Sequence, residues 1–176
     1  MAWKRGTIIL GWLAVLGILF AGSGAIGRDT EEQLLQQIQS ESNPVRKAKI
    51  EIKLGKLKLT QVQGAYTQGH IEEGAKLLDT FVGVMKTSWK LLQDSGRQAS
   101  RQPDGFRELE IALREHARSL QDLQRTVSYF DRAPLVKATQ ELEQMRAEVL
   151  HSLFPGGGTR LHKQPAPPPS VTNPGN

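Results

Sequence analysis

From Ile71 onward the apolar positions recur at intervals of three and four residues. Ile71, Ala75, Leu78, Val82, Met85, Trp89 and Leu92 lie on one stripe, with Leu77, Phe81, Val84 and Leu91 on the adjoining row. Such a stripe is the buried face of an amphipathic helix. It stops at Asp94-Ser95-Gly96, where a glycine can take the left-handed conformation that closes a helix. Phe106, Leu109, Leu113, His116, Leu120, Leu123, Val127 and Phe130 repeat the pattern. Leu135, Ala138, Leu142, Met145 and Val149 repeat it again, and Leu150, Leu153 and Phe154 extend that face as far as Pro155. Three segments of about 20 to 26 residues with one shared seam predict near-parallel rods in a bundle.

The stretch from Val45 to Tyr66 reads two ways. Ile50, Ile52 and Leu54, then Gly55-Lys56, then Leu57 and Leu59 alternate with charged residues as a two-stranded hairpin does. Val45, Ala48, Ile52, Leu59, Val62 and Tyr66 also share one helical face, and Ile50, Leu54, Leu57 and Ala65 the opposite one. Asn43-Pro44 is a helix start, because Asn43 accepts a backbone N–H and Pro44 lacks a donor where none is needed. With helical neighbours and no further strands to support an isolated hairpin, helix is the reading adopted. Its two apolar faces imply a helix clasped between partners, or one face left open for a ligand chain. A short helix from Thr30 to about Gln39 precedes it, with Asp29 three residues ahead of Glu32 in a capping-box-like start. Pro103-Asp104-Gly105 and Asp131-Arg132-Ala133-Pro134 punctuate the later segments in the same manner. The predicted fold is all-α: an antiparallel helical bundle of four long helices and a short N-terminal one, spanning residues 28–154.

At the junction of two of these helices the chain reads Val62-Gln63-Gly64-Ala65-Tyr66-Thr67-Gln68-Gly69-His70-Ile71-Glu72-Glu73-Gly74-Ala75-Lys76-Leu77-Leu78. This resembles the middle of a tetratricopeptide repeat, and the likeness extends over residues 45–82. Gly69 matches the family's turn glycine, Glu72 and Glu73 its paired acids, and Gly74 stands where the family has alanine. His70-Ile71 replaces the family's acid and aromatic, no proline closes the unit, and no second copy follows at that period, although solenoids stack several. The resemblance implies TPR-like packing of one helical hairpin and a role in protein interaction.

Composition changes the picture mainly at the two ends of the 176 residues. Met1 to Gly27 carries Lys4 and Arg5, a nearly all-apolar stretch from Ile8 to Phe20, and then small residues, with no charge between Arg5 and Arg28. That is the order of a secretory signal peptide, so 1–27 is expected to be cleaved. The alternative is an N-terminal membrane anchor, since the uncharged run from Gly6 to Gly27 matches the ~20 residues that span a bilayer. On either reading the rest of the chain is exported, periplasmic or secreted. Residues 155–176 hold Gly156-Gly157-Gly158 and Pro167-Pro168-Pro169, the composition of a disordered tail with a polyproline-like stretch. Lys4, Arg5, Arg160 and Lys163 are the only bases outside 28–154 and every acid lies inside, which leaves 19 bases against 18 acids there. The +5 of the whole chain is therefore +1 for the predicted domain. Nucleic acid is excluded as a partner by compartment and by the lack of aromatics among the lysines.

Candidate chemistry is sparse. The absence of cysteine excludes a disulfide framework, a thiolate metal site and a cysteine nucleophile. No Gly-x-Ser-x-Gly elbow, phosphate-binding glycine loop or His-Glu-x-x-His helix occurs, so no catalytic, cofactor or metal residue is assigned and the protein is not expected to be an enzyme. His116 lies on an apolar seam, but a bundle metal site wants a carboxylate three residues earlier and that position is Leu113. The acid pairs Glu72/Glu73, Glu108/Glu110 and Glu141/Glu143 diverge around their helices and read as solvated charge. One charge feature rises above this background. Arg46, Lys47, Lys49, Lys53, Lys56 and Lys58 form a basic run interrupted by Glu51 alone among acids. The candidate interaction surface is Arg46, Lys49, Lys53, Lys56, Lys58, Tyr66 and Gly69. The expected function is an exported, non-catalytic scaffold that contacts a protein or an envelope component. The alternative is a binder of anionic lipid or wall polymer through residues 46–58.

Overall fold

The computed structural model describes residues 30–156. The segment read as a signal peptide or anchor, and all but the first two residues of the segment read as a tail, lie outside the described residues. In chain order the elements are α1 (Glu31–Ser40), α2 (Pro44–Thr67), α3 (Ile71–Asp94), α4 (Phe106–Thr126), a short 3-10 turn (Tyr129–Asp131) and α5 (Arg132–Leu153). The fold is the expected all-α bundle with four long helices and a short N-terminal one, and no strand occurs among the described residues. The ambiguous stretch is one continuous helix, α2, and its alternation of lysine with aliphatic residues pairs no strands.

Local chemistry accounts for the ends of these helices. Thr30 begins α1 with a reciprocal capping box: its hydroxyl accepts from the Gln33 N–H, and Gln33 Oε1 accepts from the Thr30 N–H at 2.9 Å. The box therefore falls one residue later than the Asp29–Glu32 spacing suggests. Asn43 Oδ1 accepts from the N–H groups of Val45 and Arg46, and Pro44 fills the first turn. Gly69, at φ 80°, turns the chain between α2 and α3, and the His70 N–H closes back on the Ala65 carbonyl at 2.9 Å. At the start of α4 the Gly105 N–H donates to the Glu108 carboxylate at 2.7 Å.

The four long helices alternate in direction. α2 packs chiefly on α3 and α4 on α5, while α3–α5 and α2–α4 contacts close the ring and α1 lies outside on α2. α3 and α5 consequently run parallel, as do α2 and α4. Phe81, Met85, Leu92, Leu109, Leu113, Leu120, Leu135, Leu142 and Val149 are sealed from solvent in the shared core. α2 is the clasped helix anticipated from its two apolar faces, with α1, α3 and α4 around it. Two side chains expected on the seams are corrected. α4 ends at Thr126, so Phe130 falls in the 3-10 turn and stands in solvent, and Phe154 projects outward beyond the last turn of α5.

Candidate interaction surfaces

The basic run on α2 does not emerge as a uniform positive stripe. Lys49 pairs with Asp104 and, at 2.9 Å, with Glu108, and so ties the start of α2 to the start of α4. Hydrogen bonds to Asp104 and then Glu108 hold the Lys49 ammonium above its usual value. Lys58 pairs with Glu31, whose second oxygen accepts from Gln61 at 3.0 Å, and this tether fastens α1 to α2. The Lys58 bond, followed by the Gln61 bond, depresses the Glu31 carboxyl. Arg46, Lys53 and Lys56 are exposed on α2. Gly69 is exposed in the α2–α3 turn. Tyr66 is 5% exposed, its ring lying against Gly74, where a Cβ would come within 2.7 Å of it. It belongs to the packing of the α2–α3 hairpin. Its hydroxyl has no hydrogen-bond partner, and burial, aided by the charges of Asp131 and Asp79, raises its pKa.

Two other titratable groups are buried. His116 is 5% exposed, edge-on to the Phe81 ring with centroids 5.4 Å apart, and its Nδ1 is unpartnered. Burial, and secondarily the positive charge of Lys56, lower its pKa to about 4, so it is neutral at pH 7. Glu51 is buried, which raises its carboxyl, and nearby Lys47 opposes that rise. Among the described residues no three His, Asp or Glu side chains converge as a metal site.

An open concavity lies elsewhere, between the parallel helices α3 and α5. It is an open groove of about 530 Å³ in which Ala75, Val82 and Gly83 of α3 face Ala133, Pro134 and Ala138 of α5. Small side chains on both walls keep it open. Lys86 crosses it to Glu141 at 2.6 Å, with Lys137 4.0 Å from the same carboxylate. Beyond that bridge the depression continues to Trp89 and Met145, where Trp89 Nε1 donates to Glu148 at 3.0 Å. The sequence reading missed this groove. Its one linear trace is the pair of small residues Ala75 and Gly83, eight positions apart on α3, and their counterparts on α5 meet them only through the fold.

A second unanticipated feature is the α4–α5 turn. Tyr129 and Phe130 are 78% and 88% exposed and touch edge-to-face, with ring centroids 5.9 Å apart. Val136 and the aliphatic stem of Lys137 continue the patch into a shallow cleft beside Arg132 and Gln140. The turn is held from within: the Ser128 hydroxyl accepts from the Phe130 N–H, and the Arg132 guanidinium donates twice to the Val127 carbonyl at 3.2 Å.

Comparison of the chain with protein-family models, with curated proteins and with solved structures found no match.

Proposed function

We propose that this protein is an exported, non-catalytic interaction module whose partner-binding surface is the groove between α3 and α5. The observation that carries the reading is the floor of that groove: Ala75, Val82 and Gly83 of α3 against Ala133, Pro134 and Ala138 of α5, open to solvent and bordered by Asp79, Lys86, Lys137 and Glu141. A floor of this kind suits a helical or extended segment of a partner protein, which lays an apolar ridge along it and meets the charged rim with polar side chains. The tetratricopeptide-like reading of residues 45–82 belongs to the same proposal. It is supported by the α2–α3 hairpin closing at Gly69 and by the close approach of Gly74 to Tyr66. The alternative, polyanion binding through residues 46–58, has weaker support, because Lys49 and Lys58 already have carboxylate partners within the chain.

Gly83 provides the test, since a Cβ there meets nothing within 4 Å. A photo-crosslinking residue at position 83 should give adducts with an envelope protein, a probe at exposed Arg118 should not, and Gly83→Trp should abolish partner binding with the fold intact. Equal crosslinking from positions 83 and 118 overturns the assignment.

A further inference from the structure

We propose that the end of the bundle carrying the 95–105 loop binds a linear polyanion of phosphate groups, held by the guanidinium groups of Arg46, Arg97, Arg101 and Arg107. This site is separate from the α3–α5 groove and does not depend on it.

Three segments bring the arginines to one end of the molecule. Gly105, at φ 86°, is packed so closely that a Cβ on it would come within 2.7 Å of the Leu92 side chain and 2.9 Å of that of Val45. The finish of α3, the start of α2 and the start of α4 therefore meet at this glycine. Arg46 follows Val45 in the first turn of α2, Arg107 stands in the first turn of α4, and Arg97 and Arg101 lie on the loop that joins α3 to that point. All four residues are exposed. The loop is folded onto the bundle. Ala99 is buried between its two arginines, the N–H groups of Arg101 and Gln102 both donate to the Gln98 carbonyl, and the Arg97 N–H donates to the Ser95 hydroxyl.

Most acids at this end are already engaged. Lys49 takes both Asp104 and Glu108, Glu41 accepts from the Asn43 N–H at 2.8 Å, and Glu148 accepts from the Trp89 indole. The Lys49 bond is the main cause of a depressed Asp104 carboxyl, to which the charge of Arg97 adds least. Asp94 is the acid left without such a partner, and none of the four arginines forms an ion pair, among the described residues. Lys49 thus serves as counter-ion to the acids beside the loop, and the arginines remain available to a ligand.

A guanidinium offers a planar fork of donors that matches two phosphate oxygens at once. Four forks on three segments suit a chain of repeated phosphates better than a single one. Every exposed residue from Gly96 to Gln102 other than the glycine is polar, so the loop has no apolar side chain to sink into a bilayer. Phe154, the exposed aromatic at this end, belongs to α5, which contributes none of the four arginines. A polymer in water is the ligand that fits.

Full-length protein in detergent is titrated with inorganic polyphosphate and, separately, with orthophosphate and with mixed micelles containing phosphatidylglycerol. Polyphosphate should bind on the order of a hundredfold more tightly than orthophosphate at equal phosphate concentration. Arg97→Ala/Arg101→Ala should weaken polyphosphate binding about tenfold and make the log–log salt dependence shallower by about 1.4, or ~0.7 for each arginine lost. Lys53→Ala/Lys56→Ala removes the same formal charge from the middle of α2 and should keep the affinity within about twofold. Circular dichroism checks the fold of both variants. Equal losses in the two double variants overturn the proposal, since net charge alone would then carry the binding. Unchanged affinity in Arg97→Ala/Arg101→Ala, or no binding of polyphosphate by the parent protein, overturns it as well. Tighter binding to the phosphatidylglycerol micelles than to polyphosphate would also overturn it and assign the arginines to a lipid surface.

Discussion

Gly74 and Gly83 lie on the same helix, and their surroundings give substitution by alanine opposite signs. A Cβ at Gly74 would press on the Tyr66 ring at 2.7 Å, and that ring is enclosed and stiff. Gly74→Ala should lower stability by about 1 to 3 kcal/mol as the α2–α3 contact is forced apart. Gly83 has open space, so Gly83→Ala keeps only the gain in helix propensity and should raise stability by about 0.5 to 1 kcal/mol. Urea unfolding of both variants checks the pair. His116 sets a pH dependence whose sign follows from its burial. An unfolded chain takes up a proton near 6.5, but the folded core accepts it only near 4, so stability falls as pH drops through that window. The full loss is about 3 kcal/mol. His116→Leu should flatten the curve of melting temperature against pH between 6.5 and 4. Glu51 acts in the opposite sense: burial raises its carboxyl, so the folded state takes up that proton before the unfolded chain does and its protonation favours folding. Glu51→Gln should therefore make the acid loss steeper. That His116 lies on the buried seam of α4 could be read from its spacing with Leu113 and Leu120. That its Nδ1 is left without a partner could not, because the neighbours at that atom come from other helices.

The short helix α1 is expected to open independently of the rest. It packs on α2 alone among the principal helix contacts, through buried Leu34 and the Glu31 tether to Lys58 and Gln61. Lys58→Met should raise amide hydrogen exchange throughout α1 while protection in α3, α4 and α5 is unchanged. The loss of stability should stay below about 1 kcal/mol, the usual scale for a partly exposed pair. Element boundaries followed the local chemistry of the chain closely. Asn43-Pro44, Gly69 and Gly105 each cap or turn where the side chain or the absence of one demands it. The misplacement of Phe130 arose because the seam periodicity of α4 continues in the sequence beyond the last helical residue, Thr126. Val127 still reaches the core, whereas the extended backbone at Val127 and Ser128 rotates the next two side chains outward.

In the whole molecule the shared core of α2 to α5 carries the stability, and no covalent crosslink assists it, since the chain has no cysteine. Leu120 is fully enclosed in that core, and Leu120→Ala should cost about 2 to 5 kcal/mol, seen as a single cooperative shift in thermal unfolding. The helical class, the number of long rods, their order and the face each buries were all legible along the chain, because a 3.6-residue repeat of apolar side chains expresses one dominant energy, the burial of a stripe. The fate of the lysines on α2 was not legible. Whether a lysine faces water or a carboxylate depends on Asp104, Glu108 and Glu31, which lie far from it in the chain and close to it only in the bundle. The α3–α5 groove and the aromatic turn are of the same kind. Ala75 and Gly83 on α3 and Ala133 and Ala138 on α5 come to line one open groove, and a pair of rings becomes an exposed tip, only once helix packing has decided which sides meet. The sequence by itself determined what each segment must bury, a local property of spacing. The tertiary structure alone decided what remained uncovered, because exposure is a relation between segments distant along the chain.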